Sequence, residues 1–166
     1  MASVKLPYFG HIDPSALEEY YDAEVPYNDT EIIVDLNFET GTIDPARLDL
    51  VKNFIDNIRI HDINNKKLIA ADYDDEQGDT VKEYIEHHLE ELGEEELAGL
   101  VDINAKAADK EKQMLQKLNL VRVGLYPDSA DQFAIFDYSI GEDITNYLVV
   151  LFTDENGNLD YMTLES

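Results

Sequence analysis

Twelve carboxylates crowd one stretch of the sequence: Asp72, Asp74, Asp75, Glu76, Asp79, Glu83, Glu86, Glu90, Glu91, Glu94, Glu95 and Glu96 face a single cation, Lys82. A carboxylate buried without a partner either takes up a proton or weakens the fold, so such a run must be solvated or paired outside the chain. Two readings stay open. The run is a docking face for a basic protein, with Asp74, Asp75, Glu76, Glu83, Glu86, Glu90, Glu91, Glu94 and Glu95 as its contact residues, or it is a solvated helix face. The same oxygens could also hold a divalent cation. Asp72, Asp74, Glu76 and Asp79 lie close in sequence, and Glu83, His87 and Glu91 fall at i, i+4 and i+8 on one helical face. This makes a divalent-cation-dependent hydrolase, using the Asp72 to Glu91 carboxylates and His87, the alternative function. The spacing fits no EF-hand, and Glu83 to His87 is one residue longer than the Glu-x-x-His pair of di-iron bundles.

Nearer the C-terminal end, Asp154, Asn156, Asn158, Asp160 and Glu165 occupy positions 1, 3, 5, 7 and 12 of a calcium loop. Leu159 stands at the sixth position, where that loop needs glycine, and Asn156-Gly157 is a strong hairpin signal, so a hairpin with a type I′ turn is expected instead. Of the histidines, His88 falls on an apolar helical stripe and His87 on the acidic face, while His11 and His61 have no recognisable partners. No serine lies in a Gly-x-Ser-x-Gly elbow, and there is no phosphate-cradling glycine loop. The chain has no cysteine, which excludes thiol catalysis, disulfides and Cys-ligated metal. The expectation is a protein without catalytic residues, metal or cofactor.

Charge narrows the partners. Against 37 Asp and Glu stand 12 Lys and Arg, a net charge of -25 over 166 residues. A nucleic-acid binder must present a basic surface to phosphates, and an anionic membrane would repel this chain, so neither is an expected partner. A basic protein is. The opening Met1 to Ser15 lacks an apolar stretch of signal-peptide length, and no segment is apolar for the ~18 residues of a membrane span, so a cytoplasmic protein is expected.

The elements that must position these residues fall in three blocks of one domain. Tyr20 to Pro26 and Glu31 to Phe38 alternate as strands around Asn28-Asp29, which predicts a hairpin. Before the hairpin, Leu6-Pro7-Tyr8-Phe9-Gly10 is short and its Pro7 suits an edge or irregular strand, and Pro14 to Glu19, readable as a helical turn or a strand, is taken as strand. Asp44-Pro45 predicts a helix start, with Leu48, Val51, Phe54, Ile55 and Ile58 at helical spacing to about Ile60. A second helix is expected from Ile63 to Tyr73, with Leu68, Ile69, Ala70 and Ala71 inward. Thr80 and Glu83 form a capping-box pattern before Val81, Tyr84, Ile85, His88, Leu89 and Leu92, and Gly93 predicts a left-handed end. Glu94 to Val101 and Ala105 to Lys117 read as further helices. Strands return at Leu118 to Tyr126, Phe133 to Ser139, Tyr147 to Thr153 and Leu159 to Glu165. Together these predict an α+β fold: an antiparallel sheet made of an N-terminal hairpin and a C-terminal four-strand meander, with the helices packed on one side. Most of the ten tyrosines fall on or beside strands, where cross-strand packing accounts for them.

The phrases Leu6-Pro-Tyr-Phe-Gly-His-Ile-Asp13, Asp79-Thr-Val-Lys-Glu-Tyr-Ile-Glu-His-His88, Leu120-Val-Arg-Val-Gly-Leu-Tyr-Pro127 and Phe136-Asp-Tyr-Ser-Ile-Gly141 together resemble the bacterial domain-of-unknown-function family numbered two thousand and four. The resemblance spans nearly the whole chain and carries no motif of known chemistry. It implies a small bacterial α+β domain. By analogy with other small acidic bacterial domains, an immunity-like protein that neutralises a toxin is the form a non-enzymatic binding function would take.

Overall fold

The computed structural model describes residues 3–166. Strands β1 (Val4–Leu6) and β2 (Gly10–Ile12) form a small antiparallel pair, and β3 (Tyr20–Tyr27) and β4 (Thr30–Asn37) form the expected hairpin. Asn28 takes the left-handed conformation its turn needs, with φ 54, which its short polar side chain tolerates. Pro14 to Glu19 is not strand. Asp13 accepts the Ser15 N–H and hydroxyl to make a turn, and Leu17 N–H and Pro14 C=O bond to Gly41 and Ile43 of a neighbouring loop. Proline and the aspartate-closed turn outweigh the alternation.

Five helices follow: α1 (Pro45–Asp56), α2 (Ile58–Asp74), α3 (Thr80–Glu91), α4 (Glu94–Ala98) and α5 (Ala107–Leu115). Asp44 caps α1 by accepting the Ala46 N–H at 2.9 Å, with Pro45 in the first turn. The break before α2 comes at Asn57, earlier than the sequence suggests, because its side-chain amide donates to the Asn53 carbonyl and leaves helical geometry at φ -113. The buried stripe of α2 is Ile58, Asp62, Asn65 and Ile69, and Ala71 is exposed. At the start of α3 the capping box does not form. Asp72 reaches across from α2 and accepts the Val81 N–H at 2.9 Å, doing the capping from outside the helix. Gly93 has φ -68, so α3 ends without a left-handed residue and Gly93 serves instead as the residue before α4.

Strands β5 (Asn119–Leu125), β6 (Ala134–Ser139), β7 (Leu148–Thr153) and β8 (Leu159–Glu165) form the expected meander. The hairpin and the meander join into one six-stranded sheet in the order β3-β4-β5-β6-β7-β8. The join is parallel, with Val34 beside Val123 and Leu36 beside Leu125, so the sheet is mixed rather than wholly antiparallel. The helices are the crossover that brings β5 back alongside β4 in the same direction, the connection a parallel pair requires. The fold is α+β, with a core of Val34, Leu36, Val123, Phe136 and Leu151 against Leu48, Val51, Phe54 and Ile85 of the helices. The β7–β8 turn is longer than a type I′ hairpin. Only Gly157 has positive φ, and Asp154 organises the loop by accepting the N–H groups of Asn156 and Asn158, both at 2.9 Å.

Candidate functional site

The acidic run lies on the outer side of the helical layer. Asp74, Asp75 and Glu76 end α2 and enter the following loop, Glu83, Glu86, Glu90 and Glu91 lie on α3, and Glu94 and Glu95 open α4; all nine side chains are exposed. No ion pair among the described residues includes any of them. Lys82, the cation within the run, lies 5.6 Å over the Tyr73 ring. The loop itself is tightly made. Gly78 N–H donates to Asp75 O, Asp75 Oδ1 accepts the Gln77 N–H, and a Cβ at Gly78 would collide with the Asp72 carbonyl. Tyr73, partly buried below it and donating to Glu111, has its hydroxyl pushed up to about 12 by burial and that carboxylate.

Asp72, Asp74, Glu76 and His87 do not converge on a metal site. Asp72 is occupied as the cap of α3, Asp74 and Glu76 point to solvent, and His87 packs edge-on against Tyr147 with ring centroids 4.6 Å apart. Among the described residues no group of three or more His, Asp and Glu is placed to hold a metal ion. His88 is buried, as its place on the apolar stripe predicts. Its Nδ1–H donates to the Tyr84 carbonyl at 2.7 Å, which leaves Nε2 to accept the Thr145 hydroxyl at 2.8 Å. Burial, reinforced by His87, holds its pKa below the ordinary imidazole value, against the pull of the Tyr84 carbonyl. The pair ties the loop before β7 to α3.

Two polar clusters were not singled out by motif or spacing. The first lies inside the domain, where Asp62, 4% exposed, accepts hydroxyls from Tyr27 at 2.6 Å and Tyr138 at 2.7 Å. Burial and the neighbouring carboxylate raise both phenols far above their ordinary range, so both remain donors. The second lies on the sheet face away from the helices. Arg122 clasps Asp35 with Nε at 2.7 Å and Nη2 at 2.9 Å, and reaches Asp137 only at 3.4 Å. Burial opposes the charge on Arg122, yet Asp35, Tyr126 and Asp137 hold its pKa well above normal. Burial raises the Asp137 carboxyl despite Arg122, with Glu165 adding to the rise. Gly124 makes room for the guanidinium, since a Cβ there would stand 2.5 Å from Arg122 Nη2.

A signal for this second cluster exists in the sequence. Asp35, Arg122 and Asp137 each stand between two non-polar or aromatic neighbours inside a strand, a placement a sheet accepts when the charges pair across strands. Comparison with known proteins gave no matching family model, no matching curated protein and no matching solved structure.

Proposed function

We propose that this chain is a non-enzymatic binding module of the bacterial cytoplasm that docks a basic protein through the acidic face of α2, α3 and α4. The observation that supports this reading is the state of its nine carboxylates, all exposed and none in an internal ion pair among the described residues. Such a surface attracts a basic partner during diffusion and loses its pull as salt rises. By analogy with other small acidic bacterial domains the role would be immunity-like, the face covering the basic groove of a nucleic-acid-active toxin or related enzyme. The hydrolase alternative has less behind it, because Asp72 already caps α3 and no metal-ligand group of three forms among the described residues.

The test is affinity capture from source-cell lysate at low salt, followed by a titration with the purified partner. A basic protein whose affinity falls by about tenfold or more when Glu90, Glu91, Glu94 and Glu95 are changed to Lys is the expected result, since each reversal turns attraction into repulsion. Retention of full affinity by that variant overturns the reading.

A further inference from the structure

The open face of the sheet carries a second feature that the acidic helices do not explain. There a cavity of about 190 Å³ has Arg122 in its wall, with Ile135, Val150 and Phe152 lining it as apolar surface and Asp137 and Glu165 lining it as carboxylates. Cross-strand register assembles it, because Asp137 pairs with Val150, Ile135 with Phe152 and Leu148 with Glu165. Asp137 is the unusual member. It is only 7% exposed, yet its one cationic contact is the 3.4 Å approach of Arg122 Nη1, whose guanidinium is clasped bidentately by Asp35 instead. Glu165 is exposed at the rim and has no ion-pair partner among the described residues. Arg122 and Asp35 neutralise one another, so Asp137 and Glu165 leave the cavity negative.

An apolar lining with an under-partnered carboxylate inside and a free one at the rim suits a ligand that is aliphatic along its length and cationic at its tip. That is the chemistry of a lysine or arginine side chain, whose stem covers apolar surface while the head pairs with carboxylates. An anion would face two carboxylates, and a neutral apolar group would leave Glu165 without a cation and Asp137 with only the 3.4 Å contact to Arg122. We propose that this cavity docks one lysine or arginine side chain from a basic partner protein, its stem against Val150 and Phe152 and its charge between Asp137 and Glu165. The proposal rests on the reading above for the basic nature of the partner, but it places a point of recognition on the other face of the molecule.

The experiment is an amide NMR titration of the full chain with blocked Gly-Arg-Gly and Gly-Lys-Gly peptides, using Gly-norleucine-Gly and Gly-Glu-Gly as comparisons. Shifts centred on Asp137, Val150, Phe152 and Glu165 are expected from the two cationic peptides alone. Asp137→Asn and Glu165→Gln should each weaken that binding by about tenfold, the loss of one charge-assisted hydrogen bond. An Asp109→Asn variant should leave it within about twofold, because this exposed carboxylate of α5 belongs to neither the cavity lining nor the acidic face. Glu165 is exposed, so its variant carries the test if Asp137→Asn does not fold. Equal shifts from the norleucine peptide, unchanged affinity in the Glu165→Gln variant, or no shift at the cavity overturns the proposal. Shifts confined to α3 and α4 would overturn it while leaving the acidic-face reading intact. Partner binding that survives the helix charge reversals but is lost with Glu165→Gln would do the opposite.

Discussion

Single residues in this protein work mostly by pairing inside the fold. His88 shows how such pairing sets a pH dependence. Its neutral ring is held between a carbonyl and a hydroxyl, and burial lowers its pKa in the folded chain. As pH falls past about 6.5, the unfolded chain takes up this proton first, so the contribution of His88 is present above that value and is lost as pH falls toward the lowered folded value. His61, lowered by burial and stacked on Phe54, acts in the same direction. Urea unfolding midpoints should therefore drop between about pH 7.5 and about pH 5.5, a window chosen to stay above the carboxylate range. The His88→Gln variant should show a shallower drop, with a residue due to His61; an unchanged slope would remove His88 from this role. At this scale the sequence was partly legible. His88 on an apolar stripe could be placed in the core, but the inward stripe of α2 contains Asp62 and Asn65, and hydrophobic periodicity has no means of detecting a polar stripe. The pairing of Asp62 with Tyr27 and Tyr138 joins residues far apart in the chain and depends on the finished fold.

Among the elements, strands were more legible than helix boundaries, and the reason is local. Alternation and turn residues mark a strand within its own segment, as at β3 and β4 around Asn28. Helix ends here depend on groups from elsewhere. Asp72 caps α3 from the preceding helix, so the Thr80 and Glu83 pattern is present in sequence but unused, and Asn57 divides α1 from α2 through a side-chain bond to Asn53. The acidic run was legible as composition, whereas the cavity at Asp137 was not, because it exists only through the register of β5 to β8. The same register makes Gly124 critical. Gly124→Ala should push the guanidinium of Arg122 off Asp35, which is 1% exposed, and leave a buried carboxylate short of its cation. A loss of about 3 kcal/mol is expected in urea denaturation, the low end of the cost of breaking a buried ion pair. Gly99→Ala is the comparison: Gly99 is in helical geometry at φ -77 with the nearest atom to its would-be Cβ at 3.5 Å, so stability there should hold or rise slightly. Equal losses at the two sites would contradict this account of Gly124.

For the molecule as a whole, charge is the dominant fact. A net charge of -25, with ion pairs among the described residues limited to Arg47 with Glu155 and Arg122 with Asp35 and Asp137, means that the folded state carries a large self-repulsion. Raising salt from about 10 mM to about 1 M shortens the screening length from about 30 Å to about 3 Å, and the melting midpoint should rise as it does. Sodium chloride should suffice, since screening needs no specific ion; a midpoint that moves only with a divalent cation would instead indicate binding. The parallel join of β4 to β5 was the part of the architecture that neither block of the sequence announces. Each strand is recognisable alone, yet their neighbourhood is decided by where the helical crossover returns the chain.

That join also imposes an order on synthesis. β3 and β4 leave the ribosome early, but the strand that covers the second edge of β4 begins only at Asn119, after all five helices have been made. Until then a nascent chain presents the unpaired backbone edge of β4 beside Ile32, Val34 and Leu36, three side chains that end up almost wholly buried. An edge of this kind is a template for pairing with another chain. The acidic residues that dominate residues 72–96 emerge in that same interval, and their mutual repulsion between neighbouring nascent chains would keep those edges apart until β5 arrives.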